Sequence, residues 1–303
     1  MSMAPPESEA VSGVSVEHGS STPNGVELHY VTAGPADGDL VVCLHGFPEC
    51  WYTWKEQLPA LVDAGFRVLA PDMRGANRSG KPSGRSAYVP DEMAADVAGL
   101  IEAFDGESAP IVGHDFGGLV AWHLAAKRPA LVDRLAIMNS PNLAVYDRHL
   151  RSSFSQLRKS WYVFFYQLPR LPEFAMSSDD YAVIEDLYRE NVDPAVIDEA
   201  DVARFKAAAA RDGALSAMIT WYRGVGRWYV GRLVRRRGFA DLAVSVPTLL
   251  CWGERDHALS VDLVDDHRDV VRDLRIERFP NAGHWVHLDE REQVNESLLP
   301  FLD

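Results

Sequence analysis

The chain has 303 residues, 47% hydrophobic and 24% charged, an ordinary globular composition that excludes disorder, collagen or coiled coil for the chain as a whole. Thirty Lys and Arg against 44 Asp and Glu give a formal charge of −14, which argues against a nucleic-acid surface, since phosphate contacts need clustered cations. Cys43, Cys50 and Cys251 are odd in number and form no C-x-x-C pair; that speaks against a disulfide framework or zinc site and fits a reducing cytoplasm. The opening MSMAPPESEAVSG has neither a basic start nor an apolar run, so no signal peptide is expected there, and residues 1–13 read as a disordered segment. No run of 18 apolar residues is available to span a membrane.

In chain order, Val26–Val31 alternates apolar and polar like a half-buried strand. Leu40–Leu44 is a continuous apolar run, as in a strand covered on both faces of a parallel sheet. A helix is expected over Thr53–Ala64, a strand over Phe66–Ala70, a helix over Glu92–Phe104, and a strand over Pro110–Val112. A helix over Phe116–Lys127 and a strand over Leu135–Met138 follow. From Val145 to Arg237 the patterns are only helical and rich in aromatics. The strand–helix rhythm resumes with Val246–Trp252, a helix at Val261–Val271, a strand at Leu274–Phe279 and a last helix over Trp285–Leu299. This predicts an α/β fold with a mostly parallel sheet, its core built from 14–144 and 238–303 and interrupted by a helical cap over 145–237. Such a cap would lie over the carboxyl ends of the strands, where open α/β sheets bind ligands.

Ile111–Gly118 reads IVGHDFGG, a strand running into G-x-nucleophile-x-G. The nucleophile position holds Asp115, which rules out an ordinary serine esterase at this elbow. A helix-capping Asp would look the same in isolation, so the reading depends on what accompanies it. His45-Gly46-Phe47-Pro48-Glu49 directly follows a buried strand, and the backbone N–H groups of Phe47 and Phe116 would form an oxyanion hole. Gly253-Glu254-Arg255-Asp256 and Asn281-Ala282-Gly283-His284-Trp285 each follow a late strand, giving Asp256 as orienting acid and His284 as base. His257 and His287 are the nearest rivals for the base. Asn139-Ser140-Pro141-Asn142, after the earlier strand, offers no carboxylate as an alternative acid.

With HGFPE, DMRG (Asp72–Gly75), GHDFGG, GERD and AGHW in this order, the chain resembles the α/β-hydrolase superfamily and, within it, the soluble-type epoxide hydrolases of bacteria. The resemblance runs from about residue 14 to the C-terminus. It implies two cap tyrosines that bind the epoxide oxygen, carried here by SWYVFF and TWYR as Tyr162 and Tyr222, with Tyr166 and Tyr229 as local rivals. Many relatives place Trp after the nucleophile; this chain has Phe116. The implied activity is hydrolysis of an epoxide to a vicinal diol through an ester on Asp115, with no metal or organic cofactor. The aromatic cap suggests a small apolar substrate, with Phe47, Trp161, Phe165 and Trp221 as substrate-binding candidates. A haloalkane or haloacid dehalogenase is the alternative, although Phe47 and Phe116 supply no side-chain N–H for a halide and Phe116 cannot pair a carboxylate as Arg would. The expected partners are substrate and water, without nucleic acid or membrane, in a cytoplasmic monomer or homodimer. Two decoys are set aside. Gly75…Gly80-Lys81-Pro82 lacks the Ser or Thr of a phosphate loop, and Arg232–Arg237 (RLVRRR) reads as a solvated face at the end of the cap.

Overall fold

The structure, a computed structural model, describes residues 8–303. Nine strands form one sheet: β1 (Ser8–Val11), β2 (Val14–Ser21), β3 (Leu28–Ala33), β4 (Leu40–Leu44), β5 (Arg67–Pro71), β6 (Ala109–His114), β7 (Val132–Met138), β8 (Thr248–Gly253) and β9 (Leu274–Phe279). Their order is β1-β2-β3-β5-β4-β6-β7-β8-β9. The first three pairings are antiparallel and the other five parallel. Val41–Leu44, Val68–Ala70, Leu135–Met138 and Leu249–Trp252 are almost entirely inaccessible. This is what continuous apolar runs require once helices cover both faces of a parallel sheet.

The core helices are α1 (Gln57–Asp63), α2 (Pro90–Ala103) and α3 (Asp115–Lys127). Six more helical segments stand between β7 and β8: α4 (Leu143–Ser152), α5 (Phe154–Lys159), α6 (Trp161–Phe165), α7 (Leu171–Asn191, broken by non-helical backbone at Ser178–Tyr181), α8 (Glu199–Ala210) and α9 (Ala214–Val234). The chain ends with α10 (Leu263–Asp266), α11 (Val286–Asp289) and α12 (Arg291–Leu302).

Two expectations need correction. Of the segment read as disordered, residues 1–7 lie outside the described residues, but Ser8–Val11 pairs with β2, in register from Ser8 with Glu17 to Val11 with Val14. Buried Val11 and Val16 anchor this hairpin to the core, and its polar outer face explains why composition alone read as disorder. The helices expected over Thr53–Ala64 and Val261–Val271 are shorter, each replaced in part by a tight single turn at Trp51–Trp54 or His267–Asp269.

Candidate active site

The site begins at the junction of β6 and α3. Asp115 takes a φ of 46°, a left-handed backbone that costs about 1–3 kcal/mol for a residue with a side chain. Tight packing holds the turn in place. A Cβ on Gly117 would lie 2.1 Å from the Leu44 carbonyl oxygen, and one on Gly46 would lie 2.6 Å from Asp115 Cβ. Only glycine lets the two loops approach this closely. Ser140 Oγ donates to the Asp115 carbonyl oxygen at 2.6 Å.

Phe47 N–H donates to Asp115 Oδ2 at 2.9 Å. The Phe116 N–H lies in the first turn of α3, where no intrahelical carbonyl is available to it. One carboxylate oxygen is thus already held by a backbone donor, while Oδ1 lies 3.9 Å from His284 Nε2. That distance is too long for a hydrogen bond and leaves both atoms free for other partners.

His284 follows β9, and its Nδ1 donates to Asp256 Oδ2 at 2.7 Å. Asp256, fully buried in the loop after β8, also accepts from Asn139 Nδ2 at 2.8 Å and from the N–H groups of Ala258 and Leu259 at 2.7 and 2.9 Å. Burial disfavours its charge, but His284 and these donors outweigh burial and hold its pKa at about 2. Burial likewise disfavours the charged imidazole. Asp256, its hydrogen bond and Asp115 prevail, and the His284 pKa stands at about 9. Burial raises the pKa of Asp115 above the usual carboxylate value, with His284 and His114 opposing.

Behind the base lies a second buried group. Glu49 accepts from Gly46 N–H at 2.7 Å and from Trp285 Nε1, and lies 3.1 Å from His114 Nδ1. His114 Nε2 is 3.1 Å from the His284 carbonyl oxygen. Glu49, His114 and His287 are the grouping among the described residues whose ligand atoms, within 4.8 Å of one another, could hold a metal. Glu49 and His114 are already committed to these hydrogen bonds and His287 Nε2 to Thr53 at 2.9 Å, so only His287 Nδ1 lacks a partner. This is an arrangement for holding His284.

The cap closes a cavity of about 710 Å³ over Asp115, within the usual range for small-molecule sites. Tyr162 and Tyr222 line it together with Asp115, and neither phenol has a hydrogen-bond partner among the described residues. Burial, reinforced by the Asp115 charge, pushes both phenols well above their ordinary pKa, so they remain donors. Their rivals are spent elsewhere: Tyr166 OH faces Met176 Sδ at 3.1 Å, and Tyr229 OH donates to Asp147 at 2.5 Å. Of the rival histidines, His257 stacks on Trp285 and His287 is bound to Thr53.

None of the four aromatics expected to bind substrate, Phe47, Trp161, Phe165 and Trp221, is among the residues lining this cavity. Trp221 is fully buried and donates Nε1–H to the Arg74 carbonyl oxygen at 2.9 Å. Trp161 is 64% exposed. Phe165 packs between Trp161 and Tyr166. The Phe47 ring stands edge-on to Tyr166 and Tyr222, and its backbone N–H donates to Asp115. Leu119, Leu143, Tyr146, Val163, Val225 and Leu259 form the apolar wall instead.

Sequence reasoning also missed the residues that hold the acid. Asn139 directly follows β7 at φ 40° and clamps β8 by accepting from Gly253 N–H at 2.8 Å while it donates to Asp256. Its signal was present, an Asn directly after a buried strand, since Asn tolerates the left-handed region. From the cap, Gln156 donates to the Ala258 carbonyl at 3.1 Å and accepts from Ser260 N–H at 2.7 Å. Lys159 Nζ donates to the carbonyl oxygens of Asp256 and Leu259 at 2.5 and 3.0 Å.

Residues 39–291 match the family model described as alpha/beta hydrolase fold. The chain belongs to that family. The hydrolase is 38% identical over 279 residues to the AB hydrolase superfamily protein YfhM of Bacillus subtilis, covering 92% of this chain and 95% of that one. It is 36% identical over 284 residues to epoxide hydrolase 1 of Caenorhabditis elegans, covering 92% and 68%. Its fold superposes on a Bacillus megaterium epoxide hydrolase, crystallised with an inhibitor, with a TM-score of 0.83 and 25% identity, over 94% and 99% of the two chains.

Proposed function

We propose that this hydrolase opens an epoxide to a vicinal diol in two steps, through an ester on Asp115. The observation that carries the reading is a carboxylate and two unpartnered phenols, Tyr162 and Tyr222, on the walls of one apolar cavity. A serine attacking an epoxide would leave an ether that water cannot readily cleave. A carboxylate leaves an ester, which water can cleave.

In the first step Asp115 Oδ1, the oxygen not held by Phe47, attacks a ring carbon. The ring C–O bond breaks, and the departing oxygen takes a proton supplied by the pair Tyr162 and Tyr222. The Asp115 charge disappears with ester formation. One of the three carboxylates that raise the His284 pKa, Asp115 beside Asp256 and Glu49, is then without charge, so that pKa falls, the imidazolium passes its proton to the phenolate left by the first step, and the neutral imidazole becomes a competent base. In the second step His284, oriented by Asp256, takes a proton from water as the water attacks Asp115 Cγ. The N–H groups of Phe47 and Phe116 hold the oxyanion, with Asp115 Oδ2 already seated on the first of them. The acyl C–O bond breaks, the departing alkoxide takes its proton from the hydroxyl that water left on the Asp115 carboxyl, the diol leaves, and the proton that His284 took from water returns it to its protonated resting state. The apolar wall suits a small apolar epoxide.

Halide release is the competing outcome. A halide cradle needs side-chain N–H donors beside Asp115, and the nearby Trp221 Nε1 is taken by Arg74. The test is a panel of epoxides and haloalkanes, with single-turnover reaction in heavy-oxygen water. Diol formation with the label on Asp115 supports the reading. Fast halide release without diol, or label mainly in the first-turnover diol, overturns it.

A further inference from the structure

Charge is distributed unevenly along this acidic chain. Residues 148–172 and 213–237 contain eleven of its 30 Lys and Arg and none of its 44 Asp and Glu. The two segments are neighbours in space: Arg223 Nη2 donates to the Leu168 carbonyl oxygen at 2.5 Å and Gln167 Nε2 to that of Tyr222 at 3.0 Å. Four of the eleven cations are neutralised by carboxylates from adjoining segments, at Arg148–Asp269, Arg151–Asp147, Arg223–Glu173 and Arg232–Asp241. Arg158, Arg170, Arg227, Arg235, Arg236 and Arg237 are exposed and make no ion pair among the described residues.

The same segments expose large apolar side chains. Phe154 is 81% exposed, Val234 78%, Trp161 64% and Phe164 57%, with Leu157 and Val230 also exposed. Leu157, Phe164, Val230 and Arg227 are exposed and also line the cavity over Asp115, so the patch adjoins its mouth. Exposed patches of this kind mark interaction sites. Aromatic and aliphatic side chains interleaved with unpaired Arg suit the headgroup region of an anionic bilayer, where cations are attracted to the surface and the apolar groups enter the acyl boundary. A second copy meeting the patch through its own patch would set Arg against Arg.

We propose that this face of the cap docks the protein on the surface of an anionic lipid bilayer, with the cavity mouth toward the membrane. Apolar substrate dissolved in the lipid would then reach Asp115 without crossing water. This departs from the expectation of no membrane partner. It involves no spanning helix, and among the described residues none is long and apolar enough to cross a membrane.

The binding measurement itself needs no turnover, so its outcome is independent of the epoxide reading. Full-length protein is sedimented with phosphatidylcholine vesicles, with and without a third of phosphatidylglycerol, in low and high salt. At least tenfold more protein should bind the anionic vesicles, and high salt should release it. Arg235→Glu, Arg236→Glu and Arg237→Glu combined should cut binding by roughly tenfold or more. Phe154→Ser with Val234→Ser should weaken it less, and both variants should keep wild-type turnover of a small water-soluble substrate. No retention on anionic vesicles at low salt, or retention indifferent to the charge reversals, overturns the proposal. So does a solution oligomer dispersed by Phe154→Ser in a protein that vesicles do not retain, which would make the face a contact between copies.

Discussion

The sheet and the cap fix their residues of the site by different means. On the sheet side Asp115, Asp256 and His284 each stand just past the end of a strand. Backbone geometry and hydrogen bonds from fixed neighbours set them: Phe47 N–H, the Ala258 and Leu259 N–H groups, and Asn139. On the cap side Tyr162 and Tyr222 have no such tether and are set by ring packing, edge-on to one another at 5.9 Å, with Tyr222 against Phe116 at 4.6 Å and Tyr166 at 4.6 Å. A strand end is a short local signal in a sequence. A packed ring is the outcome of many contacts and has none.

The largest expected effects fall on the sheet side. Asp115→Asn should remove steady diol formation, a loss of roughly 10⁴-fold or more by analogy with other triads, read by initial rates on a protein of unchanged circular dichroism. His284→Gln should leave ring opening intact and stall the ester, so intact-protein mass spectrometry should show a gain of one substrate mass. If the folded mutant binds substrate without forming an adduct, the two-step division of labour fails.

The cap phenols come next. Tyr162→Phe and Tyr222→Phe should each slow ester formation by roughly 10²–10³-fold, as expected for one lost donor to a developing oxyanion. Phe preserves the ring, so stopped-flow measurements should find substrate affinity little changed. Near-normal rates in both would mean that the cap only encloses the site.

Asn139→Ala tests whether the sheet's precision depends on second neighbours. It removes one donor to a buried carboxylate, an effect of about 1–3 kcal/mol, and should lower kcat roughly tenfold or more while KM moves little. The Asp256 pKa should rise from about 2.

The smallest effect is one of pH. In the free protein His284 should titrate near 9 by proton NMR, and the acid limb of ester hydrolysis should lie lower, because the ester lacks the Asp115 charge. Its folded pKa is above the unfolded value of about 6.5, so its stabilising protonation is complete below that pH. That contribution is lost as pH rises through about 9. Equal pKa values before and after alkylation would show that Asp115 does not tune the base.

The same contrast explains what could be read in advance. Leu40–Leu44 was legible to the residue because a strand buried in a parallel sheet is an unbroken apolar run. The elbow was legible because close backbone approach demands Gly46 and Gly117. Tyr162 and Tyr222 came only through resemblance. Trp161 and Trp221 were misread because an aromatic on a cap helix can face solvent, core or cavity, and composition does not distinguish them. The hairpin β1–β2 was missed because its few inward residues, Val11 and Val16, are separated by polar ones.

The contacts of Gln156 and Lys159 carry a consequence for recombination. Both reach from α5 to backbone atoms of the loop that bears Asp256, so the cap carries part of the scaffold of the triad. Caps cannot then be exchanged among relatives as free modules. A grafted cap would need an amide and an ammonium at the same two places, or the recipient's acid loop would lose four of its anchoring hydrogen bonds. Shuffled libraries with crossovers inside 153–160 should therefore yield folded but slow enzymes more often than libraries cut elsewhere in the cap.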